Sequence, residues 1–383
     1  MKRFSRAAGL VLALALAVTL SLCAAPVRAA GGSITNFVQK NIYSDGTFSD
    51  VNASQWSYSV IKACYEYGLM QGSEPGWFNC TGNLSVAEAL TMADRIHQVY
   101  TTGQSTLTNG TPWYQPYVDY AISNGIIDQG DFSSYTETIS RADMAYVFFR
   151  ALPSYEFEEI RTVTSVPDVD QAPSRDQSAI WTLYRAGVLG GGDIFGTFYP
   201  NTNIARQEAA AILARMAIPA QRQSEPLLQK VSDGVVTFGL PQGRTVKKAT
   251  APSGTRMYTV TGKGIVVDVN TFTDSNLAGV SLVERQTAEI EKSVLEDKSS
   301  GAWYENCEVS QTSFGGVQAY RTTGNYVSSK YSYPMLTYRF VADSTLYRVT
   351  VNWKEDTVDR NLLRQVCASI TVNGNEASPS FIL

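Results

Sequence analysis

The 383-residue chain has few of the residues on which catalytic and metal sites depend, with one histidine, His97, and five cysteines. No two cysteines have the spacing of a metal-ligand pair, and the sequence contains no phosphate-binding loop. A serine or cysteine nucleophile in the C-terminal part has no histidine there to activate it. The sequence therefore predicts neither a metal centre nor a cofactor.

The chain also lacks an excess of basic residues. It contains 31 Lys and Arg against 35 Asp and Glu, which argues against a cationic nucleic-acid binder. The acidic excess is concentrated in residues 31–224, which carry 11 basic and 19 acidic side chains. A hydrophobic content of 44% and an aromatic content of 11% exclude disorder as the main state. The length is typical of two or three domains.

Long apolar runs are absent after the N-terminus. The first 30 residues combine a basic start, an apolar run from Leu10 to Leu22 and small residues up to Ala30, the pattern of a cleaved secretory signal peptide. The run is shorter than the roughly 20 residues that a membrane anchor needs. Lipidation at Cys23 is disfavoured because Leu22 precedes it. We therefore expect a secreted protein with no membrane span after cleavage.

Four cysteines remain after residue 30, in two pairs far apart in the sequence: Cys64 with Cys80, and Cys307 with Cys367. Secretion into an oxidising space permits two disulfides within domains. Four buried thiols that act as small hydrophobic side chains are the equal alternative.

A pattern repeats three times in the middle of the chain, with a period near 60 residues. Each copy has an apolar helix that ends at a glycine, a long loop, and a second helix that opens on a short polar motif. The copies predict helix-loop-helix repeats at residues 45–100, 108–152 and 163–217. The helix-ending glycines are Gly68, Gly125 and Gly187, and the acidic residues of the opening motifs are Glu88, Asp143 and Glu208.

A two-helix repeat of this size cannot bury its apolar stripe alone, so the three repeats are expected to pack around a shared axis. In the first repeat the stripe comprises Trp56, Val60, Ile61, Cys64 and Tyr65.

The opening motifs first predict helix caps. A hydroxyl at Ser85 or Ser140, with an acid three residues later, satisfies backbone amides that lack a helical partner. Arg141 and Arg206 are not explained by capping, because a cation is disfavoured at the first turn of a helix. An ion pair with neighbouring acids, simple solvation and the binding of an anionic ligand are the three explanations that the residues leave open.

These motifs resemble the S-layer homology (SLH) family over residues 45–217. The resemblance rests on Phe48-Ser49-Asp50-Val51, Val166-Pro167-Asp168-Val169, Phe198-Tyr199-Pro200, the tryptophans at 56 and 113, and the three opening motifs. It implies an all-α, three-pronged pseudo-trimer that binds secondary cell-wall polysaccharide, typically pyruvylated, in grooves between prongs. The signature arginine of each opening motif would meet the ketal carboxylate, for which a planar guanidinium is suited.

The first repeat departs from the family pattern because Val86 stands where the arginine belongs, and the third has Ala205 at its cap position. Binding is therefore expected to depend on Arg141 and Arg206, with aromatic side chains stacking on sugar or, equally, packing in the core. The predicted polysaccharide-binding residues are Arg141, Arg206, Trp56, Trp113, Tyr120, Glu88, Asp143 and Glu208.

After a proline-bracketed linker at residues 218–233, the pattern changes to alternating strands. Strands are clearest at residues 265–269, 336–340 and 347–353, and helices are predicted at 280–295 and 357–370. The expected unit, residues 234–375, is an α+β domain with an antiparallel sheet and two helices, faintly similar to PsbP/Mog1-type domains. The fold class is thus multidomain, with helical repeats followed by this domain.

The favoured function is a secreted, non-catalytic surface protein that attaches to anionic wall polymer and displays the α+β domain to surface-layer or other protein partners. A wall-anchored hydrolase with catalytic carboxylates in the C-terminal domain is the alternative, although Glu284 and Glu289 point in different directions on a helix. A helical protein-interaction module without glycan affinity is the third hypothesis.

Overall fold

The computed structural model describes residues 32–244, 246–250, 256–260, 264–272, 302–342 and 345–378. The expected signal peptide, residues 1–30, and the helix predicted at 280–295 lie outside the described residues. The protein has helices in its N-terminal part and an antiparallel sheet in its C-terminal part.

The N-terminal part contains three helix-loop-helix units in the order that the repeat predicts. The helices are α1 (Tyr58–Glu66), α2 (Val86–Thr102), α3 (Gln115–Ser123), α4 (Arg141–Arg150), α5 (Ser174–Arg185) and α6 (Arg206–Ala217). Unit 1 holds α1 and α2, unit 2 holds α3 and α4, and unit 3 holds α5 and α6. The first helix of each unit is followed by a glycine with positive φ, Gly68, Gly125 or Gly187, as the sequence predicts.

Each packed pair of helices combines helices from two different units. The second helix of one unit lies against the first helix of the next, in the pairs α2 with α3, α4 with α5, and α6 with α1. All three pairs contribute to one hydrophobic core, which includes the fully buried Ile61, Phe148 and Tyr184. No unit therefore buries its apolar stripe without the other two.

A closed ring of backbone hydrogen bonds joins the loops that precede the second helices. Leu84 N donates to Ile204 O (3.1 Å), Ile204 N to Ile139 O (3.4 Å) and Ile139 N to Leu84 O (2.9 Å). The three side chains are buried at the centre of the helical part. Each opening motif is thereby fixed against the loop of a neighbouring unit.

The C-terminal part is built on a nine-stranded sheet of order β1-β2-β10-β11-β6-β7-β8-β9-β5, whose neighbouring strands are all antiparallel. A separate hairpin pairs β3 with β4. The strands are β1 (Leu228–Ser232), β2 (Val236–Pro241), β3 (Val246–Thr250), β4 (Arg256–Val260), β5 (Ile265–Phe272), β6 (Ala302–Phe314), β7 (Val317–Ser328), β8 (Ser332–Ala342), β9 (Thr345–Trp353), β10 (Thr371–Val372) and β11 (Asn375–Ser378). The strands predicted at 265–269, 336–340 and 347–353 are confirmed.

Helix α7 (Arg360–Ala368) covers the core face of this sheet. Its apolar side is completely buried against the strands through Leu362, Leu363 and Val366. The helix is shorter than the predicted range 357–370, because Asp359 caps it by accepting from Asn361 N (3.0 Å) and Leu362 N (3.1 Å).

The predicted linker, residues 218–233, does not form a spacer. It contains a 3-10 turn (Pro219–Gln221) and strand β1, and Gln223 N donates to Gly187 O at the end of α5 (2.8 Å). Apolar contacts continue across the segment, because Leu227 is buried in the helical core and Leu228 in the sheet core. The polar, proline-bracketed sequence reflects a packed connection rather than a flexible one.

The side chain of Gln242, which is 4% exposed, joins the two parts directly. Its Oε1 accepts from Thr164 N (2.8 Å) and Ser165 N (2.9 Å), and its Nε2 donates to Ser165 O (2.9 Å). The buried side-chain amide of Gln242 therefore forms hydrogen bonds with the backbone of the segment that leads into unit 3.

Neither of the two possible disulfides is formed among the described residues. Cys64 lies in the helical core, where its thiol donates to Ala210 O (3.0 Å), and Cys80 lies beside Asp50 O. Cys367 belongs to the sheet core and Cys307 to a small separate cluster with Met335. The alternative of four buried thiols is the one that the structure shows.

Candidate functional site: the groove between helix pairs

The predicted acidic residue in the first turn of each second helix contacts the residue that immediately precedes the helix. In unit 1, Glu88 Oε2 accepts from Ser85 N (2.8 Å), and Ser85 Oγ accepts from Glu88 N (3.2 Å). In unit 2, Ser140 Oγ caps Asp143 N (3.1 Å). The capping roles of Ser85, Glu88 and Ser140 are confirmed, whereas the carboxylate of Asp143 accepts from the Ser140 hydroxyl (2.7 Å) rather than from a backbone amide. Unit 3 keeps the carboxylate contact, from Ala205 N to Glu208 Oε2 (2.9 Å), without a side-chain cap at Ala205.

The guanidinium of Arg141 reaches from unit 2 into unit 3. Its Nε donates to Phe198 O (2.8 Å), its Nη1 forms an ion pair with Glu208, and its charged end lies over the Phe198 ring. The Arg141 side chain is 9% exposed and that of Glu208 is 36% exposed. Of the explanations that the sequence left open, the ion pair is therefore present.

Arg206 repeats this arrangement between units 3 and 1. Its Nε donates to Phe78 O (2.9 Å), its Nη2 donates to Gln71 O (2.8 Å), and its Nη1 lies 3.6 Å from Glu88 Oε1. Burial lowers the pKa of Arg206, while the charges of Glu88 and Asp50 act in the opposite direction. Both signature arginines thus hold a loop and a cap of a neighbouring unit, and neither extends freely into solvent.

The aspartates of the repeat-opening elements hold the loops that these arginines contact. Asp168 accepts from Phe198 N (2.8 Å) and Tyr199 N (2.7 Å), and Asp50 accepts from Phe78 N (2.8 Å) and Cys80 N (3.1 Å). Although burial acts against it, these backbone hydrogen bonds lower the pKa of Asp50.

Unit 1 has Val86 at the arginine position, and the structure supplies a cation from elsewhere. Arg175, on α5, donates to Asp143 Oδ1 (2.6 Å) and Asp131 Oδ1 (2.9 Å) and lies 3.1 Å from Asp176 Oδ1. Burial opposes the charged form, but the hydrogen bond with Asp143 and the surrounding carboxylates raise the pKa of Arg175. All three capping acids therefore have an arginine partner, and sequence reasoning missed this one because it belongs to no repeated motif.

A second set of arginines was also missed, although its regular spacing is visible in the sequence. Seven residues after each capping acid stand Arg95, Arg150 and Arg215. Each donates to a backbone carbonyl two or three residues after the first helix of its own unit, namely Leu69 O (2.7 Å), Gly125 O (2.8 Å) and Val188 O (3.1 Å).

A cleft of about 360 Å³, here called the Trp56 groove, lies where unit 2 meets units 1 and 3. Trp56 is 61% exposed at its edge, and Arg141 and Arg215 supply cations to its lining. Trp56 was expected on the apolar stripe of α1, but it precedes that helix and faces solvent. The groove is lined by Trp56, Arg141, Leu189, Gly190, Gly191, Gly192, Glu208, Ala211, Ile212, Arg215 and Gln223.

Other predicted aromatic residues lie apart from this groove. Trp113 is 40% exposed just before α3 and packs edge-on against Tyr114 and Tyr117. Tyr120 is half-buried, and its hydroxyl lies 2.7 Å from His97 Nδ1 on the adjacent helix α2. The structure therefore brings Trp56, Arg141 and Glu208 together and leaves Tyr120 between helices.

Comparison with known families agrees with this geometry. Residues 47–89 and 167–210 match the sequence profile of the S-layer homology domain, and each match runs from a repeat-opening element into a second helix. The chain carries S-layer homology domains. The matched segments lie in units 1 and 3, which are the two units with the aspartate-anchored loops.

Two curated relatives share part of this sequence. The Surface-layer 125 kDa protein of Lysinibacillus sphaericus is 27% identical over 146 residues, covering 36% of this chain and 12% of the relative. An endoglucanase of Bacillus sp. (strain KSM-635) is 26% identical over 180 residues, covering 44% of this chain and 18% of the relative. The chain thus spans less than a fifth of either relative. The S-layer homology domains and the surface-layer relative indicate a location at the cell surface or cell wall.

Two solved structures show weak similarity. They are cyanobacterial PsbP (CyanoP) from Synechocystis sp. PCC 6803, with 19% identity and a TM-score of 0.30, and LpqN of Mycobacterium tuberculosis, with 16% identity and a TM-score of 0.25. Each covers 38% of this chain, and this chain covers 92% and 91% of them. Scores this low carry no argument about the sheet domain. In the described part of the chain, no helix has both the length and the apolar character to cross a membrane.

Proposed function

We propose that this protein attaches non-covalently to an anionic, pyruvylated cell-wall polysaccharide through its S-layer homology domains and displays a non-catalytic C-terminal domain. The three units act as one S-layer homology pseudo-trimer, with the α1–α6, α2–α3 and α4–α5 pairs as its three prongs. The observation that carries the proposal is the Trp56 groove, in which an exposed indole lies beside two arginines.

The groove retains hydrogen-bond donors for an anion even though Arg141 is paired. Within the described residues, Arg141 uses Nε and Nη1 and Arg215 uses Nη1, which leaves Nη2 of both and Nε of Arg215 without a protein partner. A ketal carboxylate bound there would accept charge-assisted hydrogen bonds worth about 1.5–3 kcal/mol each. The Trp56 indole would stack on the adjoining sugar ring.

A second groove follows from the equivalence of Arg206 with Arg141. Arg206 and Arg95 take the places of Arg141 and Arg215, and Trp113 takes the place of Trp56. Because Nη2 of Arg206 already donates to Gln71 O, this second groove offers fewer donors and is proposed to bind more weakly. Two grooves on one polymer add avidity without a tight single site.

Sedimentation with purified cell walls tests the attachment. Arg141→Gln combined with Arg215→Gln is expected to reduce the bound fraction at least tenfold, because two charge-assisted contacts are lost while the side chains stay polar. Arg185→Gln, at an exposed residue of α5 outside the groove, is the matched control. Walls stripped of their acid-labile polymer should bind none of these proteins, including the wild type.

Equal binding to stripped and intact walls would reject the polysaccharide as ligand and would favour a helical protein-interaction module. Unchanged sedimentation of the double variant, with its helicity retained, would reject the groove.

A wall-anchored hydrolase is the second candidate, and the endoglucanase relative is the observation that favours it. The cleft described on the sheet domain, of about 220 Å³, is lined by Gln311, Thr312, Ser313, Gln318, Ala319 and Tyr320, a set without a carboxylate. The predicted Glu284 and Glu289 lie outside the described residues. Release of reducing sugar from purified wall polymer by the full-length protein would establish hydrolysis and overturn the non-catalytic assignment.

A further inference from the structure

A second cleft, here called the junction cleft, adjoins the Trp56 groove and shares four lining residues with it. Its volume is about 530 Å³, within the roughly 300–1,000 Å³ typical of ligand sites. It is bounded by the loop after α5, by the connection from unit 3 to the sheet domain, and by Gln365 of helix α7. The two parts of the protein therefore both contribute to its surface.

The wall that the two clefts share consists of three glycines and Gln223, whose side chain packs against Gly190. Gly190, Gly191 and Gly192 line both of them. A Cβ on Gly190 would lie 2.1 Å from Gln223 Oε1, and one on Gly191 would lie 2.6 Å from the Cα of Gly196, so larger residues do not fit. Since the two clefts share these glycines and Gln223, a chain-like ligand that crosses from one to the other would pass over the Gln223 side chain.

An aromatic ring flanks this glycine wall. Tyr199 is 46% exposed, and a Cβ on Gly192 would lie 2.7 Å from its Cε2 atom. Tyr199 has a φ of 58°, a left-handed conformation that is unusual for a large side chain, whereas unit 1 has Asn79 with a φ of 63° at the equivalent position. Strain of this kind is typical of functional sites.

The chemistry of the junction cleft suits neutral sugar units. Its lining contains two cations, Arg161 and Arg222, and two acids, Asp193 and Glu225, so that the formal charges balance. Asp193 is already engaged with its own loop, through Phe195 N (2.9 Å) and Thr197 Oγ1 (2.6 Å). The uncharged groups that remain for hydroxyl and acetamido substituents are those of Gln223, Ser224 and Gln365.

One donor in this region stands without a partner. Nη2 of Arg222 is buried and makes no hydrogen bond within the described residues, while its Nε donates to Arg215 O (3.1 Å). Arg222 thus links the helix that lines the Trp56 groove to the lining of the junction cleft.

We infer that the Trp56 groove and the junction cleft form one extended glycan site, in which neutral sugar units next to the acidic unit cross Gly190–Gly192 and bind between the helical part and Gln365. This inference rests on the proposed function and adds to it the C-terminal domain as a wall of the binding site. The protein would then recognise several consecutive sugar units rather than the acidic unit alone.

Calorimetric titration of the full-length protein tests the inference with two probes: a pyruvylated monosaccharide and size-selected wall-polymer fragments of several repeat units. Gln365→Trp is expected to weaken fragment binding about tenfold and to change monosaccharide binding less than twofold. Ser224→Trp, in the connection that also lines the cleft, should act in the same way. Asn361→Trp, at an exposed position one turn earlier on α7, is the matched control.

Trp56→Ala separates the two proposals, because it should weaken both probes. If Trp56→Ala weakens both and the Gln365 and Ser224 variants bind fragments like the wild type, the extended site is wrong and the groove stands. If neither probe binds the wild type, the proposed function fails with it. Thermal melts that match the wild type exclude misfolding as the cause of a loss.

Discussion

Arg175 shows how a single residue from another element replaces one that the motif lacks. The family pattern would place an arginine at Val86, and the carboxylate of Asp143 would then receive it. Arg175 reaches that carboxylate from α5 instead and also compensates Asp176, which is fully buried. A profile of the motif alone does not contain this pairing, because Arg175 and Asp143 lie in different units, 32 residues apart.

Removal of Arg175 should destabilise the protein. Arg175→Ala leaves the Asp176 carboxylate buried without its cation, and we expect a loss of about 3 kcal/mol in the free energy of unfolding. Urea denaturation followed by circular dichroism measures this loss. Arg185→Ala, at an exposed residue that stacks on Trp181, serves as the control and should change stability by less than about 1 kcal/mol. Equal losses of unfolding free energy in Arg175→Ala and Arg185→Ala would contradict the proposed role of Arg175 as the partner of Asp143 and Asp176.

Asp94 should make stability depend on pH in an unusual direction. Its side chain is fully buried on α2, neither oxygen has a hydrogen-bond partner within the described residues, and burial raises its pKa to about 8. Because the folded state keeps a proton that the unfolded state releases above pH 4, this group destabilises the fold progressively from pH 4 to 8, by up to about 1.4 kcal/mol per pH unit.

Asp94→Asn removes this titration. The free energy of unfolding of the wild type should therefore fall more steeply from pH 5 to 8 than that of the variant, as measured by urea titrations at each pH. Parallel pH profiles of the two proteins would show that Asp94 has an ordinary pKa in the fold.

At the scale of helices, the start of α6 is the weakest of the three equivalent starts. Ala205 has the same backbone conformation as the caps of α2 and α4, with φ −81° and ψ 152° against φ −81° and ψ 162° at Ser85, but it has no hydroxyl. Ala205→Ser should therefore stabilise the protein by about 1 kcal/mol, measured as a rise in the urea midpoint. Ser140→Ala, the reciprocal change, should lower stability by a similar amount. A decrease for both would mean that the added hydroxyl does not reach Glu208 N.

Helices and strands were largely predictable because their signals are local. Each glycine that ends a first helix has the positive φ that its sequence position predicts, and alternation in β9 placed Tyr347, Val349 and Val351 on the buried side. The site was only partly predictable. Arg141 and Glu208 are 67 residues apart, and their contact depends on how units pack. Trp56 was placed on a stripe by helical spacing, but the helix begins two residues after it.

At the scale of the whole chain, we expect the hydrogen bonds of Gln242 to help the helical and sheet parts unfold together. Gln242→Ala would remove the side-chain partner of the amides of Thr164 and Ser165 and of the Ser165 carbonyl, so the coupling between the parts should weaken. Scanning calorimetry should show a single transition in the wild type and a split or broadened one in the variant. Gln229→Ala, which loses a contact within the sheet domain, is the control and should leave the transition shape unchanged. Two separate transitions in the wild type would contradict the coupling.

This junction was not visible in the sequence, where prolines and polar residues at 218–233 indicated a linker. The segment is polar because its backbone lies between two cores, and only Leu227 and Leu228 reveal that it is packed. The cysteines were ambiguous for a related reason, since spacing alone does not distinguish a disulfide from thiols buried in separate clusters.

The cyclic bonding of Leu84, Ile139 and Ile204 fixes the number of units at three. In an open solenoid, copies can be added or lost at either end, because each copy contacts only its neighbours. Here the third loop returns to the first, so a fourth copy has no unoccupied backbone donor to extend from. Gene duplication within this array would therefore yield a second complete triplet rather than a longer one. Deletion of a single copy would break the ring of hydrogen bonds that joins the remaining two.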